Sequence, residues 1–181
     1  MSGLGHAWTH LWYGPVDRLR LWCLEKTILV VLALDCWMLM AERGGRYGAG
    51  GFNVAHFGWI DTYMPTPTPG LYLGLIFSCG WLAALVASGV MRRAGLVALT
   101  VLYTYAWAMS QLDSYQHHYF LSWVLLCLCL FPLGQHRGGR DGTQDGSHEG
   151  SSPVSCFGYR LLCAQLVILY LYTGLSKTEP Q

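Results

Sequence analysis

Residues 71–90 read LYLGLIFSCGWLAALVASGV, twenty positions with no Asp, Glu, Lys or Arg among them. About 20 helical residues cross the hydrocarbon core of a bilayer, so this run predicts a membrane-spanning helix. Working outward, residues 21–40, 94–110, 117–133 and 159–176 form four more apolar runs. The runs 94–110 and 117–133 are short by themselves. Each extends into the stretch 110–118, which is polar but free of Lys and Arg. The expected fold is all-α, an integral membrane helical bundle of about five transmembrane helices.

Composition points the same way. The 181-residue chain is 53% hydrophobic and 12% charged, with mean hydropathy +0.33. Soluble domains carry about 25% charged residues. Eight Trp suit the aromatic belts at the two faces of a bilayer. A formal net charge of +1 provides no basic field, which excludes nucleic acid as a partner and leaves the lipid bilayer. Residues 1–15 lack the basic start of a cleaved signal peptide, so the first apolar run is read as a retained helix.

The seven cysteines contain no C-x-x-C, and Cys127 and Cys129 are two apart, which points them to different sides of a helix. They read as small apolar packing residues. His6 and His10 are spaced to share a helix face, but no third ligand is near, so a surface pair is the reading and no metal site is expected.

Residues 1–20 form an N-terminal segment and 21–177 the transmembrane domain, followed by a tail at 178–181. The connection 41–70 is Gly-rich at first and closes with Pro65-Thr66-Pro67-Thr68-Pro69-Gly70, which should be extended up to the next helix. Met91-Arg92-Arg93 reads as a tight basic turn. Residues 134–153, rich in Gly, Ser, Asp and His, read as a mobile loop. With five spans, Arg18, Arg20, Arg92, Arg93, Arg137, Arg140 and Arg160 fall on one side, against Arg43, Arg46 and Lys177 on the other. The positive-inside rule places the N-terminus in the cytoplasm and puts His117, His118 and Lys177 together on the opposite side.

Two polar stripes mark the chemistry. Gln111, Ser114, His118 and Ser122 recur at i, i+3, i+7 and i+11, with Tyr115 beside His118. On a spanning helix such a stripe faces the bundle interior, the other reading being a histidine pair that caps the span at the interface. In the last segment Tyr170, Thr173 and Lys177 share a face, with Gln165 below them and Gly174 leaving room for a neighbouring helix. A lysine amine in a low-dielectric site loses its proton more easily and becomes a usable base; one that snorkels to the headgroups does not. Glu25 and Lys26 lie near the cytoplasmic end of the first span and reach its interface. Asp35 is deeper, should face protein or a water pocket, and would be neutralised by Arg43 if the helix runs on.

The run Asp113-Ser-Tyr115-Gln-His117-His118-Tyr-Phe-Leu121 resembles the Asn-His-x-Tyr-Leu signature of the HTTM family, membrane domains related to vitamin K-dependent gamma-carboxylase. Residues 159–177, with Gln165, Tyr170, Gly174 and Lys177, resemble that family's second signature, and Gly14-Pro15-Val16-Asp17 suits its start. The resemblance implies gamma-glutamyl carboxylase-like lyase chemistry. Lys177 would be the base that deprotonates a vitamin K hydroquinone-like quinol. Oxygen then turns the quinol into a strong base that takes a glutamate γ-proton, and carbon dioxide adds to the carbanion. By the same resemblance His118 is the signature histidine, expected to position or polarise groups nearby, and His117, Tyr115, Gln165 and Tyr170 are substrate-pocket candidates. His117 stands where the family has Asn, which changes the hydrogen-bond inventory. Thr178-Glu179-Pro180-Gln181 lacks the tryptophan found beyond the family lysine, and only these four residues follow it, so the expectation is a truncated or degenerate carboxylase-like domain.

Three functions compete. The first is this multi-pass carboxylase-like protein with a quinol-type site. The second is a non-catalytic membrane component that binds lipid or a partner protein. The third, a quinone-linked redox protein, is disfavoured by the missing C-x-x-C and paired haem ligands.

Overall fold

In the computed structural model, which describes residues 3–41, 58–63, 68–108, 116–132 and 154–176, every apolar run is helical over most of its length. The elements are α1 (Gly3–Tyr13), β1 (Pro15–Val16), α2 (Arg18–Asp35), α3 (Gly58–Tyr63), α4 (Pro69–Ala87), α5 (Arg92–Ala108), α6 (Gln116–Cys129), β2 (Val154–Ser155) and α7 (Phe157–Ser176). One π-helical turn, Cys36–Met40, continues α2.

Local chemistry sets the helix ends. The Asp17 carboxylate accepts from the Leu19 backbone N–H at 2.8 Å, an N-terminal cap for α2. Thr68 is extended (φ −126°, ψ 156°), its hydroxyl accepts from Leu71 N–H at 3.2 Å, and Pro69 takes the first helical position. The helix thus starts at Pro69, inside the stretch expected to be extended. Beyond Ala87 the chain turns through Gly89 (φ +93°), a conformation glycine adopts at little cost, and Met91 (φ +47°). Arg92 and Arg93 are not the turn itself: they open α5.

The chain divides into two compact units, one of residues 1–24 with 130–181 and one of 25–129. In the first, β1 pairs antiparallel with β2, Pro15 opposite Ser155 and Val16 opposite Val154. Trp12 and Tyr13 of α1 meet Phe157 of α7 at ring separations of 5.6 and 5.8 Å. Gly14 is required between them: a Cβ there would lie 2.5 Å from the His10 carbonyl oxygen and 3.2 Å from the Arg160 guanidinium. The N-terminal segment 1–20 therefore holds a helix, a strand and the start of α2. Residues 134–153 lie outside the described residues.

In the second unit α4, α5 and α6 pack in sequence, and the π-helical turn packs on α4. Trp37 of that turn lies against Gly80, where a Cβ would meet three indole atoms at 2.3 to 2.9 Å. Glu25 is 1% exposed and paired with Arg92, whose side chain is 13% exposed. Arg92 Nε donates to both carboxylate oxygens, at 2.9 and 3.0 Å. Glu25, expected to reach the interface at the cytoplasmic end of the span, is buried against Arg92, which supplies its counter-charge. Lys26 Nζ donates to the Val86 carbonyl at 3.1 Å, in the last turn of α4, where a cation suits the exposed carbonyls. These contacts put Glu25 and Lys26 of α2, the end of α4 and the start of α5 at one end of the unit.

Among the described residues two helices are long and apolar enough to cross a membrane, Pro69–Ala87 and Phe157–Leu175. Residues His118–Cys129 form a shorter apolar helix. The other segments expected to span differ for stated reasons: α2 carries Arg18, Arg20, Glu25, Lys26 and Asp35, and α5 opens on two arginines and is 17 residues long.

Removing one partner of a buried ion pair strands the other, at a cost of about 3–5 kcal/mol. Glu25→Ala or Arg92→Ala should each lower the thermal denaturation midpoint in detergent sharply, while Glu25→Leu with Arg92→Leu together should recover most of the loss. Gly80→Ala should cost about 1–3 kcal/mol by overpacking, and Trp37→Phe in the same chain should relieve it; an undiminished midpoint for Gly80→Ala alone contradicts the contact.

Candidate functional site

His118 lies in the first turn of α6 and is 6% exposed. Its Nδ1 sits 2.7 Å from the phenolic oxygen of Tyr103, which is itself 1% exposed, on α5. Four residues on, Ser122 accepts a 2.8 Å hydrogen bond from the Trp107 indole, four residues beyond Tyr103. Tyr103 and Trp107 share one face of α5, and His118 and Ser122 one face of α6, by the i, i+4 rule. Further down, Thr100 Oγ1 lies 3.6 Å from Cys129 Sγ. Residue 100 beside 129 and 107 beside 122 define an antiparallel hairpin. The Tyr119 ring closes the outer side against Trp107 at 4.2 Å.

Tyr103 has further polar company. Its electrostatic neighbours are Cys36 and Asp35 of α2 and its π-helical extension, and Tyr72 and Cys79 of α4. Cys36, Tyr72 and Cys79 are buried, and Asp35 is half-buried. Burial in apolar surroundings makes each polar atom seek a partner, and the Tyr103–His118 bond is how two of them find one. The arrangement pairs a buried hydroxyl with a buried imidazole. Such a set can bind and orient a small molecule that carries hydroxyl groups.

The polar stripe read on α6 thus faces protein, through His118 and Ser122. Gln111, Ser114 and Tyr115 lie outside the described residues, as do Arg43 and Lys177, and His117 is described in its backbone only. On α7, Gln165 is half-buried and Tyr170 is 74% exposed. Thr173 donates to the carbonyl of Leu169 on its own helix, at 2.8 Å. Gly174 has open space around it. His6 and His10 are exposed, and no cluster of metal-ligating residues occurs among the described residues. All seven cysteines are free thiols; Cys156 is buried and Cys23 is exposed.

Sequence reasoning passed over Tyr103 and Trp107. Both sit in an apolar run, and aromatic residues there read as core. The available signal was their i, i+4 spacing opposite the identically spaced His118 and Ser122.

Gly14, Pro15, Val16 and Asp17, the run likened to the start of a known family, have physical roles at the junction of α1, β1 and α2: close approach, strand pairing and helix capping. His118, likened to that family's signature histidine, is the buried centre of the α5–α6 contact. A search of the curated proteins returned no match, and neither did a search of the solved structures. The HTTM domain family model matches residues 13–181. That match covers all but the first turns of the chain, so the protein belongs to the HTTM family.

Proposed function

We propose that this HTTM protein is a multi-pass membrane protein whose α5–α6 hairpin carries a quinol-type site. The observation that carries the reading is the buried His118–Tyr103 hydrogen bond. Ionisable side chains buried in apolar helical bundles are costly and are kept for ligands, ions or proton transfer. The donor and acceptor set suits a phenolic hydroxyl, and the rings of Trp107 and Tyr119 suit an aromatic nucleus beside it. A hydroquinone bound there would supply phenolic protons and reducing electrons. In this reading His118 orients a hydroxyl and Tyr103 holds the imidazole in place. Lys177, next in sequence after α7, is the base that accepts a phenolic proton. Gln165, Tyr170, Tyr115 and His117 remain proposed substrate-pocket residues.

The N-terminus is proposed to be cytoplasmic, with five spans in an alternating arrangement. The Arg-rich side supports it, as does the clustering of Glu25, Lys26, Val86 and Arg92, since alternating helices return their ends to one face.

The decisive experiment is carbon dioxide fixation into a glutamyl peptide by membranes containing the full chain, with and without a hydroquinone. Fixation should require the hydroquinone, and Lys177→Ala should lower it by about 100-fold or more, the usual contribution of a general base. Absence of hydroquinone-dependent fixation in the unaltered chain would leave the non-catalytic membrane component, which binds lipid or a partner protein, as the function. Tyr103→Phe removes one hydrogen bond and keeps the ring. Because it takes a partner from a buried imidazole nitrogen, it should cost about 1–3 kcal/mol of stability, read by thermal denaturation, but should lower turnover well beyond that loss.

A further inference from the structure

In the first compact unit the β1–β2 pair joins the end of α1 and the start of α2 to the start of α7. The Arg160 guanidinium rests on Gly14 at this junction, 3.2 Å from where a Cβ would be. Tyr159 has both Arg160 and Arg20 as electrostatic neighbours. Among the described residues of the unit, Arg18, Arg20 and Arg160 stand against one carboxylate, Asp17. That carboxylate accepts from Leu19 N–H as the cap of α2. No carboxylate among the described residues pairs with Arg160 or Arg20; the ion pair formed there, Glu25 with Arg92, belongs to the other unit.

The junction is also short of hydrogen-bond acceptors. Arg160 Nε is wholly buried without a partner, and so is the indole nitrogen of Trp12, whose ring packs on Phe157, one turn before Arg160. Buried donors are nearly always satisfied, and a guanidinium covered on one side without a counter-charge is costly. Arg160 as a residue is half-buried, so the stem and Nε are covered and the far edge of the guanidinium is open. What the junction lacks is negative charge and acceptor oxygens. A phosphate supplies both, and a guanidinium binds it through paired N–H groups.

Position along the chain indicates the source of that phosphate. Arg160 is the fourth residue of α7, whose segment Phe157–Leu175 is long and apolar enough to cross a membrane. It lies about 4.5 Å from the end of that helix, the depth of lipid headgroups. Trp8 and Tyr13 of α1 and Trp22 of α2 are exposed in the same unit, and such rings settle at headgroup level. We infer that Arg160 and Arg20 form a binding site for the phosphate of an anionic membrane lipid. The acyl chains lie along the exposed apolar side chains of α7, Val167, Ile168 and Leu171. Three guanidinium groups against one carboxylate select a net negative headgroup over a zwitterionic one. The inference rests on the membrane reading of the chain and is independent of the quinol site.

The test is equilibrium binding of radiolabelled dioleoyl phosphatidylglycerol to the full chain in dodecyl maltoside micelles. Binding should saturate, and dioleoylglycerol, which lacks the phosphate, should not compete. Arg160→Gln should weaken binding by about tenfold or more, the worth of a charge-assisted hydrogen bond. Arg160→Lys keeps the charge without the fork and should fall between the two. Arg20 is exposed, so Arg20→Gln keeps the fold and should weaken binding by itself. Arg18, which is not an electrostatic neighbour of Tyr159, should change it little as Arg18→Gln. Equal losses in Arg18→Gln and Arg160→Gln indicate a diffuse basic surface and overturn the site. Unaltered affinity in both Arg20→Gln and Arg160→Lys also overturns it, as does competition by dioleoylglycerol. Displacement of the lipid by millimolar inorganic phosphate makes this a free-phosphate site and overturns the lipid assignment. Alkaline carbonate extraction checks the membrane reading separately. Retention of the chain in the membrane pellet without saturable lipid binding overturns the site alone, and release from the pellet overturns both.

Discussion

The buried ion pair between Glu25 and Arg92 governs how the helices of the second unit are placed. A carboxylate taken from water and left alone would cost several kcal/mol, so α2 is held where Arg92 can meet it. Arg92 donates through Nε to both oxygens and through Nη2 to one of them, which sets orientation as well as distance. Lys26, the next residue, binds the last turn of α4. Two adjacent residues of α2 thereby hold the start of α5 and the end of α4. Everything further along these helices inherits that register.

At the height this register brings together, the packing is polar and not only apolar. Tyr103 stands near Asp35, Cys36, Tyr72 and Cys79 and bonds His118. Four residues apart on each helix, Trp107 and Ser122 repeat the pattern. Gly80, next to Cys79 in this layer, and Gly95, near the ion pair, let neighbours approach closely, Trp37 against the first and Val86 against the second. Close packing near the ion pair and polar pairing near His118 are two parts of one arrangement. The first fixes the helices, and the second uses the position they are fixed in.

Much of the helix pattern was legible in the chain because apolar length and charge are one-dimensional properties. The run 71–90 became α4 with its start moved to Pro69, where Thr68 caps it. The resemblance to the HTTM family was legible for a related reason: its motifs at 113–121 and 159–177 are short runs of neighbouring residues. His118 and Ser122 were legible as a stripe because a helix repeats every 3.6 residues. Tyr103 and Trp107 were hidden in plain apolar surroundings. The partner of Glu25 was not legible, because Arg92 lies 67 positions away in sequence. The short β1–β2 pairing escaped notice for the same reason, as it joins residues 15–16 to 154–155.

From its sequence alone this protein was determined to be helical, apolar, poor in charge and of the HTTM type, since composition, periodicity and short motifs depend only on neighbours along the chain. Which polar groups meet was decided by tertiary structure. Arg92 finding Glu25 and Tyr103 finding His118 both depend on helix register. That register is set by long-range ion pairing and by glycine contacts, whose energies appear only when distant segments touch.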